Sequence, residues 1–301
     1  MLHNSQKDFL KRHIGPSEED QSKMLKKLNY KSLDDLIDST VPEKIHFKGE
    51  LNIGESNSEY EALRKLKAIS KKNQIYSNFI GMGYYGTYTP YIILRNILEN
   101  PGWYTSYTPY QPEVAQGRLE MLLNFQQMIV DFTGMDIANA SLLDEGTAAA
   151  EAMGLSHRLN KNDSNLVFVS ENCHPQTIDV IQTRAEPMGL KVLVGNEDKV
   201  LEQLKEDIVC GILQYPGTLG DIKDPSESIS RIHKKNGKAI LACDLLALAK
   251  LKTPRELGAD IAVGSSQRFG IPMGYGGPHA AFFATKDEYK RSMPGRIVGV
   301  S

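Results

Sequence analysis

The chain has 301 residues, of which 41% are hydrophobic and 24% charged, the proportions of an ordinary globular protein. This length is sufficient for a large core in one or two domains. With 35 Lys and Arg against 37 Asp and Glu, the net charge is -2. The chain therefore offers no basic field for nucleic acid or an anionic membrane surface. The apolar stretches are too short to span a bilayer, and the first residues are typical neither of a secretory signal nor of an Arg-rich transit peptide.

The three cysteines form no CxxC pair and no metal-ligand spacing. Cys210 and Cys243 lie in apolar, strand-like runs, where buried and inert thiols are expected. Cys173 precedes His174, so a nucleophilic pair is an alternative, although neighbouring residues on an extended chain point to opposite faces. This use of cysteine favours a reducing cytoplasm.

The first 75 residues are predicted to form a helical segment. The run from Ser17 to Asp20 resembles a capping box that opens a helix. A second short helix is expected at 32–37. Apolar residues at helical spacing predict a third at 59–72.

Residues 76–301 are predicted to form one large domain. Gly, Tyr and Pro are frequent at 81–112, which indicates loops and short helices bearing exposed aromatic side chains. A long helix should follow at 113–133. From about residue 140, predicted strands alternate with helices, which indicates an α/β fold with a mostly parallel sheet. The strands are expected at 167–169, 191–194, 210–215, 239–244, 260–264 and 280–284, and helices at 176–186 and 226–235.

The run Gly81–Gly86 matches GxGxxG, the pattern of a dinucleotide-binding turn. That turn requires a preceding strand, a following helix and an acidic residue about twenty positions on. Here Thr89-Pro90 follows, and Gly102-Trp103-Tyr104 stands where the acid should be. Nicotinamide or flavin binding by this loop is therefore not expected.

Two other features are compatible with a phosphorylated cofactor. Gly146-Thr147 opens an alanine-rich helix, whose free N–H groups and dipole attract phosphate. Asp244 ends an apolar strand, and an acid at that edge of an open sheet can pair with a protonated pyridine nitrogen. Plain capping of the next helix or turn is the alternative for each.

Four runs of sequence are similar to the glycine cleavage system P-protein, the decarboxylating glycine dehydrogenase family. They are Arg12–Pro16, Phe79–Tyr85, Trp103–Glu113 with the following Gln116–Glu120, and Gln267–His279. The chain resembles the N-terminal half, or the separate first subunit, over essentially its whole length. This resemblance implies an aspartate-aminotransferase-like fold (pyridoxal-phosphate fold type I) for 76–301.

The resemblance also implies two homologous halves, of which only the second holds the cofactor lysine. In this chain Gln267 stands at the expected lysine position, and no lysine lies between Lys252 and Lys286. Without an amine, no Schiff base can form at this turn. His174 would occupy the position that stacks on the pyridine ring, Asp244 that of the pyridinium partner, and Gly146-Thr147 the phosphate cup. These residues would form a degenerate cofactor site; a purely structural role is the alternative.

A shared site is implied where this half meets the lysine-bearing half. Tyr84, Tyr85, Tyr107 and Tyr110 lie in strongly aromatic loops. The resemblance implies that the Tyr84-Tyr85 loop reaches the glycine pocket of the partner half, whose lysine would bind pyridoxal phosphate covalently. Packing at an interface is another use of exposed tyrosines. The aminomethyl group would pass to the lipoyl arm of the H-protein.

Two competing functions remain open from the sequence. One is a catalytically silent scaffold with a purely structural role in dimerisation. The other is a self-sufficient pyridoxal-phosphate enzyme that uses Lys250 or Lys252. The chain ends at Ser301, soon after the last predicted strand, and we expect a fragment that lacks the small C-terminal domain.

Overall fold

A computed structural model describes residues 9, 12–54, 56–276 and 279–300. The chain divides into two compact units, residues 1–77 and 78–301. In the first unit, helices α1 (Glu18–Leu28), α2 (Leu33–Thr40) and α3 (Glu59–Ser70) form as the sequence predicts. Capping boxes begin α1 at Ser17 and α3 at Ser58, where a serine hydroxyl accepts the N–H of the third helical residue.

The second unit begins with a segment of loops and short turns of helix. These include one α-helical turn at Tyr91–Ile93 and a π-helical turn at Leu94–Leu98. Helix α4 (Pro112–Thr133) follows, with proline at its first position, where no intrahelical N–H is needed. It ends at Gly134, whose φ of 67° is left-handed.

A seven-stranded mixed sheet forms the centre of this unit, in the order β1-β7-β6-β5-β4-β2-β3. Strands β2 to β6 pair in parallel, whereas β7 runs antiparallel to both β6 and β1. The strands are β1 (Ile137–Ala138), β2 (Leu166–Ser170), β3 (Lys191–Gly195), β4 (Cys210–Tyr215), β5 (Lys238–Cys243), β6 (Ile261–Ser265) and β7 (Ala281–Thr285). The connecting helices are α5 (Glu145–Leu159), α6 (Pro175–Ala185), α7 (Glu197–Gln203), α8 (Ser226–Lys234) and α9 (Leu245–Leu248).

Both faces of the sheet are covered, which explains why its strands are apolar at almost every position. Val167 and Val169 point to one face, against the alanines of α5, and Phe168 points to the other. The neighbouring strands β5 and β6 approach closely at Gly264, where an added Cβ would lie 2.2 Å from the carbonyl oxygen of Cys243. This packing holds the ends of β5 and β6 together.

The predicted α/β fold with a mostly parallel sheet is confirmed. The two-residue strand β1 and helix α7 are additional to the predicted elements, because neither carries a distinctive apolar period. Strand β5 ends at Cys243, one residue before the predicted boundary. Within the described residues, no helix combines the length and apolarity that a membrane crossing requires.

Candidate active site

The carboxyl ends of the parallel strands bring several of the predicted site residues together. His174 follows β2, Asp244 follows β5 and Gln267 follows β6. The loop Gly81–Gly86 lies against all three: Gly83 against His174, and Tyr85 against Gln267 and beside the Asp244–Arg268 pair. This is the edge at which open α/β sheets bind ligands.

The hydrogen bonds of His174 define its protonation. The Thr218 hydroxyl donates to the carbonyl oxygen of Asn172 at 2.9 Å and lies 2.9 Å from Nδ1 of His174. Since the hydroxyl proton is used, Nδ1 must carry the imidazole proton and Nε2 must be an acceptor. Burial lowers the pKa of His174, against the opposing effect of Asp244, so the ring is neutral at pH 7.

Glu145, the first residue of α5, is a buried carboxyl group beside that histidine. Its Oε1 lies 3.7 Å from Nε2 of His174 and makes no hydrogen bond to any residue that the structure describes. Burial raises the pKa of Glu145 to about 7, despite a hydrogen bond from Gln214 that lowers it. Glu145 is therefore poised between its neutral and charged forms near neutral pH.

Glu145 and His174 border a cavity of about 100 Å³. Thr177, only 1% exposed, also lines it, and its hydroxyl has no hydrogen-bond partner among the described residues. Tyr84 and His279 lie at the rim, with their ring centroids 5.5 Å apart. The cavity is small, and its walls carry carboxyl, imidazole and hydroxyl groups that can accept hydrogen bonds.

Asp244 has a cationic partner within the chain. Nε and Nη2 of Arg268 each donate to it at 3.0 Å, a two-point ion pair. The guanidinium of Arg268 also lies 3.6 Å from the ring centroid of Tyr85. Asp244 caps α9 as well, through the N–H of Leu246. Burial raises the pKa of the Tyr85 phenol, Asp244 adds to this, and Arg268 opposes it.

Gln267 is 2% exposed, and its side chain is bound to the same loop. Its Oε1 accepts the N–H of Tyr85 at 3.1 Å, and its Nε2 donates to the carbonyl oxygen of Tyr85 at 2.9 Å. Gln176 holds the same loop three residues before Tyr85, by donating to the carbonyl oxygen of Met82 at 2.7 Å. Gly83 lies so close to His174 that an added Cβ would be 3.2 Å from the imidazole.

This arrangement does not fit a pyridoxal phosphate in this chain. Gly83 lies close to the imidazole of His174, Asp244 is paired with Arg268, and the turn after β6 carries a glutamine. The positions that the resemblance assigns to the pyridinium partner and the lysine are thus occupied by groups paired within the chain.

The other predicted site residues are placed as follows. Gly146 and Thr147 lie in the first turn of α5, where Asp144 caps the helix by accepting the N–H of Thr147 at 2.7 Å. Cys173 is no nucleophile, because burial raises the pKa of its thiol far above the ordinary range. Cys210 and Cys243 are buried free thiols, as expected.

Tyr107 and Tyr110 lie outside the cluster around Gln267, and both are exposed. Arg118 of α4 fixes their segment by donating to the carbonyl oxygens of Tyr107 and Gly102 at 2.6 and 3.0 Å. The guanidinium of Arg296 lies 5.5 Å from the ring of Tyr110. The sequence interpretation missed Glu145, Arg268 and Arg118. The one available signal in the sequence was their position, since all three lie within or beside the sequence runs discussed above.

Comparisons with known proteins show the family of the chain. The glycine cleavage system P-protein family matches residues 11–301. A glycine dehydrogenase (decarboxylating) of Pelagibacter ubique (strain HTCC1062) is 82% identical over 301 residues, which is 100% of this chain and 31% of that protein. The corresponding protein of Nostoc punctiforme is 59% identical over 97% of this chain and 30% of its own length. The chain thus spans about a third of the length of these curated relatives.

Solved structures place the fold in the same group. A crystal structure of glycine decarboxylase (P-protein) of the glycine cleavage system, in inhibitor-bound form, superposes with a TM-score of 0.82. It is 32% identical and covers 95% of this chain and 65% of its own. A Burkholderia pseudomallei sphingosine-1-phosphate lyase has a TM-score of 0.62 over 84% of this chain and 64% of its own. At 12% identity, that likeness shows the fold alone.

Proposed function

The chain belongs to the glycine cleavage system P-protein family, and we propose that it is the lysine-free half of a glycine decarboxylase. In this proposal the second half binds pyridoxal phosphate through its lysine, and the cofactor acts there as an electron sink. This half contributes walls of the glycine pocket, and the product passes to the lipoyl arm of the H-protein. A cytoplasmic location stays a prediction.

The observation that carries the proposal is the filled site around Gln267. Its amide holds the Tyr85 backbone at the position where a cofactor lysine would stand. In the same loop the side chain of Tyr84 remains 42% exposed, and its ring is directed toward His279. A loop that is anchored at one tyrosine and open at the next is suited to presenting the second to a neighbouring site.

An exposed aromatic surface supports a large partner. We define it by the side chains of Tyr88, Tyr91, Trp103, Tyr104, Tyr107 and Tyr110, all of which are exposed. An exposed set of this kind marks a protein interface more often than a solvated surface. Since the relatives are about three times as long as this chain, the remainder of such a protein is available to cover it.

The proposal is tested by glycine–CO2 exchange in the complete enzyme. Tyr84→Phe and Tyr85→Phe each remove one hydroxyl, and Tyr60→Phe, on α3, is the matched control. We expect Tyr84→Phe to lower kcat/KM about tenfold, the value of one lost hydrogen bond, and Tyr60→Phe to have no effect. Intact exchange in both loop variants would favour the silent scaffold instead.

The self-sufficient enzyme is less well supported. Lys252 is directed to Asp224, with its Nζ 3.7 Å from the carboxylate, and Lys250 is exposed on the turn after α9. Both lysines lie before the turn that holds Gln267 and not on it. Borohydride treatment of the chain with pyridoxal phosphate should therefore label neither lysine more strongly than the other exposed lysines of the chain.

A further inference from the structure

The side chain of Gln267 has a use that a lysine could not serve. The Tyr85 backbone presents a donor and an acceptor to one side chain, at 3.1 and 2.9 Å. Only an amide provides both an acceptor and a donor in this way, whereas an ammonium group provides donors alone. A lysine would also place a second cation next to Arg268.

The loop that receives these hydrogen bonds needs external support. Gly81, Met82 and Gly83 have successive φ values of 70°, 57° and 84°, all left-handed. This backbone conformation is energetically unfavourable for Met82, because residues with a Cβ rarely adopt it. Three neighbouring groups support the loop in this conformation. Gln176 donates to the carbonyl oxygen of Met82, and Arg268 lies against the Tyr85 ring. The Thr87 hydroxyl donates to the carbonyl oxygen of Ile271 at 2.7 Å.

We infer that Gln267 is a positioning residue: its amide holds Tyr85 in place of a cofactor and so fixes the direction in which Tyr84 leaves the loop. Tyr85 is the anchor and Tyr84 is the side chain presented. A glutamine in place of lysine at this position therefore supports the loop, in addition to lacking the amine. The expected effect on the KM for glycine rests on the proposed function. The support that Gln267 gives to the loop does not depend on it.

The chain contains a matched control for this role. Gln126 is also a buried glutamine, and it makes the same reciprocal pair with a backbone: its Nε2 donates to the carbonyl oxygen of Val298 at 2.9 Å, and its Oε1 accepts the N–H of Val298 at 2.9 Å. It lies on α4 and takes no part in the cluster around Gln267. Gln267→Met and Gln126→Met therefore remove the same chemistry at two places, with side chains of similar size.

Both variants are made in the complete enzyme, and two quantities are measured. Hydrogen exchange of the amides at 83–86 reports the loop, and the KM for glycine, compared with kcat, reports the pocket. We expect exchange at 83–86 at least about tenfold faster in Gln267→Met and unchanged in Gln126→Met. The KM for glycine should rise about tenfold in Gln267→Met alone, with a smaller change in kcat.

The results of these measurements distinguish the positioning role of Gln267 from the proposed function. Unchanged exchange at 83–86 in Gln267→Met overturns the positioning role. Faster exchange with an unchanged KM for glycine supports the positioning role and contradicts the proposed function. An equal rise in KM in both variants would show that only general stability is involved, and would also overturn the inference.

Discussion

A carboxyl group with little exposure lies beside each end of strand β6, Asp260 at the start and Glu145 of α5 near the last residue, and the two ends differ in how their polar atoms are paired. At its start, Asp260 accepts hydrogen bonds from His233 at 2.8 Å, from the N–H of Ala239 at 2.8 Å and from Lys286. Beside its last residue, Glu145 has an oxygen without a hydrogen-bond partner among the described residues. The pKa values move in opposite directions, to about 2 and about 7.

The difference distinguishes a fully paired end of the sheet from an end that borders a cavity. Burial acts to raise the pKa of Asp260, but the donors from His233, Lys286 and Ala239 outweigh it. A fully paired carboxylate of this kind joins β5, α8 and the residue after β7. At the other end, polar atoms left unpaired beside a cavity are characteristic of a site that binds or once bound a ligand.

The largest effect is expected at the paired end, from Asp260→Asn. This change leaves the Lys286 ammonium without its buried carboxylate and weakens the acceptor of the His233 and Ala239 N–H groups, so we expect a loss of about 3 kcal/mol or more in the free energy of unfolding at pH 7. Because the folded pKa of Asp260 is lowered, its contribution is present above about pH 4 and is lost as the pH falls toward 2. Denaturant unfolding of the variant and its parent at pH 7 measures the difference.

Asp287→Asn is the control, since Asp287 pairs with Lys290 at an exposed site. Its loss should stay below about 1 kcal/mol. Equal losses in the two variants would remove the distinction between a buried, paired end and an ordinary surface pair.

The next effect is expected from Glu145→Gln, and its sign depends on pH. The folded pKa is raised, so the parent is favoured in its protonated form, and its stability declines as the pH rises from about 4.5 through 7. Glutamine mimics the protonated group at every pH. We expect the variant to match the parent near pH 4.5 and to be more stable by about 3 kcal/mol at pH 8.

Thermal unfolding of both proteins across this range measures that effect. A variant less stable than its parent at pH 8 would show that stabilising contacts of charged Glu145 outweigh the cost of its burial, and the comparison between the two ends would fail.

A smaller effect is expected from Gly83→Ala, which tests how tightly the loop covers His174. Gly83 and Gly220 have nearly equal φ values of 84° and 86°, but an added Cβ meets the imidazole only at Gly83. Both alanine variants incur the left-handed backbone cost of about 1 kcal/mol. Gly83→Ala should lose roughly a further 1 kcal/mol in unfolding free energy through that contact. Equal losses would mean that the loop does not press on His174.

Much of the fold was predictable because its signals are local. Alternating apolar runs and capping residues identified the parallel strands and α1, α3 and α4. The residues around the site were also placed near one another, since each ends or follows a strand. Their pairing was not predictable: the Asp244–Arg268 ion pair and the Gln267–Tyr85 hydrogen bonds join positions 24 and 182 residues apart. The sequence pattern therefore indicated a site without a lysine, but it did not indicate which side chains and loop occupy that site.

The central claim, that the chain's own loop occupies this half's cofactor position, is tested most directly by Gln267→Lys in the complete enzyme. The protein is reduced with borohydride in the presence of pyridoxal phosphate and mapped by peptide mass. The account predicts no pyridoxyl group at position 267, because Tyr85, Arg268 and Gly83 fill the space beside it. A pyridoxyl group at position 267 in an amount comparable to that on the second half would contradict it.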